Sequence, residues 1–126
     1  MNDFPQHDRT ALGDRLQQLK PKVAEQVTQV FLERHPEWLS RYGERAREFG
    51  IEDAQFHIDF LRGAVEASSI RAFEDYCEWA AGLLKSRAIA SHFLVENLMQ
   101  IETALVSGLS PEERAVVARI MEAGRA

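Results

Sequence analysis

Residues 41–61 read RYGERAREFGIEDAQFHIDFL, and how they are parsed decides the fold. Each of two glycines follows an aromatic residue, at Tyr42-Gly43 and Phe49-Gly50. Glycine adopts backbone angles that close helices, so both positions read as turns. A short helical turn fits between them, over 44–49. Beyond Gly50 a helical pattern runs from about 52 to 67, with Phe56, Phe60, Leu61, Ala64 and Val65 on its apolar face. His57 lies within that stripe, one turn after Asp53. The stretch reads as a hinge leading into the central helix of an all-helical domain.

Toward the N-terminus, Leu12, Leu16, Leu19, Val23, Val27 and Val30 recur every three or four residues, as one face of a helix does. Pro21 interrupts the stripe. A proline inside a helix removes one hydrogen bond and crowds the preceding turn, at a cost of ~3 kcal/mol. The expectation is two nearly coaxial segments, 9–19 and 21–34, with Pro21 opening the second. Residues 1–9 are polar and read as a flexible arm, leaving 10–126 as a single helical domain. His35-Pro36 ends the second segment, and 36–42 forms a short helix closed by Gly43.

Toward the C-terminus, Ser69 reads as the N-cap of a helix over 70–86. Ile70, Phe73, Cys77, Ala80 and Leu84 form its seam, with Tyr76, Trp79 and Leu83 beside it. Leu94, Leu98, Ile101 and Leu105 stripe a helix over 91–107 that Gly108 ends. Ser110-Pro111-Glu112-Glu113 is a capping box with proline at the first helical position, opening a last helix to about 124. No segment alternates with period two. The fold class expected is all-α, a compact domain of five to six helices, either a helical bundle or globin-like.

Composition narrows the function classes. The 126 residues are 45% hydrophobic and 28% charged, with a net charge of −5. An acidic balance argues against general affinity for nucleic acid or anionic membranes, which needs clustered Lys and Arg. No apolar run approaches the ~18–20 residues of a membrane span. The single cysteine, Cys77, excludes an intramolecular disulfide framework. With no signal-peptide pattern at the N-terminus, a cytoplasmic location is expected.

Few residues suggest chemistry. Asp53 with His57, and His92 with Glu96, are carboxylate–imidazole pairs four apart on helices, a spacing that suits a transition metal if the pairs meet. The Glu-x-x-His spacing of di-iron bundles is absent, so no metal site is expected and His57 reads as a hydrogen-bonded residue at the core edge. A lone helical histidine is a weak haem signal, and no Cys-x-x-Cys-His motif occurs. Cys77 sits on an inner seam with no basic neighbour, as a small hydrophobe does. No catalytic motif is complete, so no catalytic residue is assigned and no enzyme activity is expected. Trp38, Tyr42, Phe49, Phe56, Phe60, Phe73, Tyr76 and Trp79 concentrate large rings in the middle of the chain. They read first as core and second as the lining of a ligand pocket, for which Tyr42, Phe56, His57, Phe60 and Trp79 are the candidate contacts. Arg41, Arg45 and Arg47 suit an anion or a solvated face balanced by Glu44 and Glu48.

One resemblance runs over about half the chain. The Arg41-Tyr42-Gly43 turn, then Asp53, His57 and Leu61, then Phe73, Asp75, Tyr76 and Trp79, ending near Arg87, resemble the helical module that precedes cobalamin-binding domains in some bacterial regulatory proteins. The Asp-x-His-x-x-Gly signature of the cobalamin-binding domain itself is missing. Ile89 and Ala90 stand where light-sensing members carry a Glu-His pair after the tryptophan. The resemblance implies a free-standing helical sensory or interaction module. Together with the absent catalytic motifs and the acidic charge, it leads to the expectation of a regulatory domain without a cofactor that acts through a protein partner, with a homodimer as one form of that partnership. Its alternative is a small-molecule sensor that takes haem, cobalamin or another flat apolar ligand beside His57.

Overall fold

A computed structural model describes residues 6–125, which form six α-helices and one turn of 3-10 helix, with no strand among them. The helices are α1 (Gln6–Arg34), α2 (Glu37–Tyr42), α3 (Arg45–Ala67), α4 (Ile70–Ser86), α5 (His92–Leu105) and α6 (Pro111–Arg125). The all-α expectation holds. Of the arm expected over 1–9, residues 1–5 lie outside the described residues and 6–9 belong to α1.

Two breaks expected from the sequence are absent. Pro21 lies inside one continuous α1 instead of opening a second segment. Its ring is exposed, while Leu12, Leu16, Val23, Ala24 and Val27 are buried on both sides of it. The carbonyl that loses its partner therefore faces water, and burial of the opposite face carries the helix through. The second absent break is Gly50. It does not close a turn, and α3 runs unbroken from Arg45 to Ala67. A Cβ on Gly50 would come within 2.7 Å of Thr28 Cγ2. This glycine therefore lets α3 approach α1, and those two helices form the most extensive contact in the fold.

Other boundaries follow their local chemistry. Gly43 caps α2 at a φ of 64°, with its N–H donating to the Leu39 carbonyl. Ser69 Oγ accepts from the Ala72 N–H at 3.1 Å and caps α4. At the start of α6 the Ser110 N–H donates to Glu113 Oε1 at 2.9 Å, and the Glu113 N–H donates to Ser110 Oγ at 3.2 Å. That is the reciprocal capping box.

The filled core lies where α1, α3, α4, α5 and α6 converge. Leu16, Ile58, Leu61, Val65, Phe73, Leu98, Ile101, Leu105, Ile120 and Met121 are fully buried there. The buried face of α3 is rotated from the expected one. Ala54, His57, Ile58, Leu61, Ala64 and Val65 turn inward, whereas Phe56 and Phe60 stay about half exposed. In α1, Val30 is likewise exposed, and Thr28 and Leu32 take the inward positions. No helix among the described residues is long and apolar enough to cross a membrane.

Candidate ligand cavity

The last turns of α1, with α2, the first turns of α3, the end of α4 and the start of α5, do not close on one another. They leave a cavity of about 400 Å³, within the ~300–1,000 Å³ usual for small-molecule sites. Aromatic rings make up much of the wall. Phe31 comes from α1, Trp38 and Tyr42 from α2, Phe49 and Phe56 from α3, and Phe93 from α5. Trp38 stacks on Tyr42 with centroids 5.5 Å apart and meets Phe31 and Phe93 at 5.8 and 5.6 Å. These rings hold one another in place around the space rather than filling it.

Polar groups reach the wall at a few points. His57 is buried, and its Nδ1 lies 2.6 Å from Tyr76 Oη. Burial pushes the imidazole down to about 4, so the ring is neutral at physiological pH. Among the described residues nothing bonds its other nitrogen, Nε2. Burial also raises the Tyr76 phenol, with smaller contributions from Cys77, Asp53 and Asp59. Asp53 is exposed toward solvent but backed by the apolar wall. Desolvation there raises its pKa, the Glu52 carboxylate adds to the rise, and Arg87 opposes it.

Arg87 and Asn97 complete the polar lining. Arg87 is placed by the end of α4. Ala88, the next residue, takes the left-handed conformation with φ 59°, and Ile89 beyond it also lines the cavity. The Ile89 N–H closes this turn on the Leu84 carbonyl at 2.9 Å. An L-residue held there costs roughly 1–2 kcal/mol, which the contacts of the flanking residues offset.

Of the five residues expected to contact a ligand, Tyr42, Phe56 and His57 line the cavity. Phe60 and Trp79 lie outside it. Phe60 stacks flat on Tyr76 with centroids 4.0 Å apart, and Trp79 is 62% exposed. The two candidate carboxylate–histidine pairs do not form. His57 bonds Tyr76 instead of Asp53, and Glu96 serves His35 Nε2 at 2.7 Å and Arg34 Nε at 3.4 Å instead of His92. No group of three or more His, Cys, Asp or Glu able to hold a metal exists among the described residues. Cys77 is buried, and its thiol is pushed up to about 11 by burial, so it stays protonated.

Sequence reasoning missed Phe31, Arg87, Phe93 and Asn97 as parts of this wall. Phe93 adjoins the singled-out His92, but nothing in the spacing turned attention from the one to the other. Comparison of the sequence with protein-family models and with curated proteins finds no match.

Proposed function

We propose that this chain is a non-enzymatic helical sensory domain that holds a small, largely apolar molecule in the aromatic cavity. The cavity of about 400 Å³ against His57 is the observation that carries this reading. A core of tightly interlocked side chains leaves voids hardly larger than a water. Seven aromatic rings arranged around a space, with a few polar groups among them, match what small-molecule sites present. The partial resemblance to modules of bacterial regulators supports the sensory role, in a cytoplasmic setting. Haem and cobalamin are the larger ligands such a site would be tested with. A neutral His57 with one nitrogen unpartnered suits an organic hydrogen-bonding group.

The test pairs binding with a blocked cavity. Ala80 is buried and lines the space, so Ala80→Leu fills part of it. Purified protein is screened for thermal stabilisation by a library of flat aromatic compounds, and by absorbance with haem and with cobalamin. The reading expects at least one compound to stabilise the wild type and to lose that effect in folded Ala80→Leu. A library with no stabilising member, or hits indifferent to Ala80→Leu, would sink it.

A second reading rests on a separate observation. Phe60 and Trp79 present rings on the outer face of α3 and α4, where a partner protein or a second copy of the chain would cover them. Sedimentation of wild type against Trp79→Ala checks this. A strict monomer at every micromolar concentration removes the homodimer.

A further inference from the structure

The groups lining the cavity differ in what they offer a ligand. The rings supply flat apolar contact and no charge. Arg87 is a permanent cation with five side-chain N–H donors and no side-chain acceptor; its charge acts on Asp53 across the lining, and no side-chain hydrogen bond or close ion pair engages the guanidinium among the described residues. Asn97 is half-buried on the same wall, also without a partner among the described residues. Asp53 is the single carboxylate of the lining.

His57 can be assigned by chemistry. Its contact with Tyr76 Oη is short, 2.6 Å. A phenol is a strong donor and a weak acceptor, whereas a neutral imidazole nitrogen is a strong acceptor. The bond is therefore O–H from Tyr76 to Nδ1, which places the ring proton on Nε2 as a donor. Two more guanidiniums flank the lining. Arg41 lies over the Tyr42 ring at 5.3 Å and Arg45 over Phe49 at 5.8 Å. Against these stand Asp53 and, beside it in the chain, Glu52. Burial and the neighbouring Glu52 charge raise the Asp53 pKa, whereas arginine stays charged at any physiological pH.

Building on the cavity-binding reading above, we infer that the ligand is a planar aromatic acid, its ring system between the aromatic walls and its carboxylate on Arg87, with His57 Nε2 and Asn97 as further donors. A carboxylate there gains charge-assisted hydrogen bonds in a partly desolvated site. An ammonium would meet Arg87 with nothing but Asp53 in compensation.

Three probes of one shape separate the charges: naphthalene-2-carboxylate, naphthalene-2-methanol and 2-naphthylmethylamine, each titrated calorimetrically into the full chain. The acid is expected to bind about tenfold more tightly than the alcohol, the scale of one charge-assisted hydrogen bond, and the amine most weakly. Arg87 is exposed, so Arg87→Gln leaves the fold intact. It should bring the acid to the alcohol's affinity without changing the alcohol. Asp53→Asn should tighten the acid. An alcohol equal to the acid, or an amine ahead of it, overturns the assignment of an acid while leaving a binding cavity. Preference for the acid that survives Arg87→Gln overturns the role of Arg87. Absence of binding by all three at millimolar concentration overturns both the acid and the cavity reading.

Discussion

The two ends of this bundle are built from similar residues and used differently. Where α4 and α6 meet, contact is so close that a Cβ on Gly124 would lie 2.7 Å from the Phe73 ring. At the α2 end, seven aromatic rings and His57 surround about 400 Å³ of space. Apolar content does not distinguish the ends; the length of the helix that closes each one does. Phe73 is enclosed by long helices on several sides, whereas α2 spans only Glu37–Tyr42 and has no buried residue. A six-residue helix cannot close the gap between the ends of α1, α4 and α5, so large rings reach across it. The filled end is expected to carry the stability, and the open end the specificity.

The largest effect should come from removing a ring at the filled end. Phe73→Ala deletes a fully buried side chain and should cost about 3–5 kcal/mol. Phe93→Ala at the open end removes a half-buried ring that already borders a void, and about 1–2 kcal/mol is expected. Urea unfolding of both variants measures the contrast. Equal losses would mean that the open end is as fully packed as the other.

The second effect depends on pH. The His57 pKa is lowered by burial to about 4 in the folded protein, against ~6.5 in an unfolded chain. Below that unfolded value the unfolded state takes up a proton the folded state refuses, so stability falls as pH drops. His57's contribution is full above pH ~6.5 and is lost progressively toward pH 4, amounting to about 3 kcal/mol at most. His57→Gln removes the titration and should flatten the stability profile between those limits relative to wild type. Parallel profiles for the two proteins would show that His57 does not titrate in this way.

The third effect compares one substitution at both ends. Ala64→Leu adds bulk where Ala64 is buried away from the cavity, and should cost about 1–3 kcal/mol. Ala80→Leu adds the same bulk beside free volume and should stay within about 1 kcal/mol of wild type. Melting temperatures in parallel decide it, and a larger loss for Ala80→Leu would contradict an open cavity.

What could be read in the sequence follows the same division. The stripe of α5, the Ser69 cap and the Ser110–Glu113 box that opens α6 depend on neighbours in the chain, and each appears where its pattern put it. Phe56 and Phe60 show where periodicity fails. They share a helix face with apolar neighbours, yet the interior lies toward Ile58 and Leu61, because the approach of α1 rotates α3. The cavity was legible only as a concentration of rings that fits a core equally well. Arg87 and Asn97 join it through tertiary placement, and neither carries a local signal. Pro21 and Gly50 misled for one shared reason: local propensity is outweighed where a long buried face continues on both sides.

Glycines within α3 put that last point to the smallest test. Gly63 is exposed, and a Cβ there would meet nothing within 4 Å. Gly63→Ala should therefore gain the ordinary helix preference of alanine, up to about 1 kcal/mol. Gly50 occupies the same helix, but its added Cβ would press on Thr28. Both residues border the cavity, but Thr28 is held against Gly50 by its hydroxyl, which donates to the Ala24 carbonyl at 2.8 Å. The overpacking cost, ~1–3 kcal/mol, matches or exceeds the propensity gain, so Gly50→Ala should be neutral to destabilising. Chemical denaturation of the two variants separates close approach from turn formation as the role of Gly50. A gain for Gly50→Ala as large as for Gly63→Ala would mean that the α1–α3 contact is looser than these distances imply, and that its glycine is replaceable.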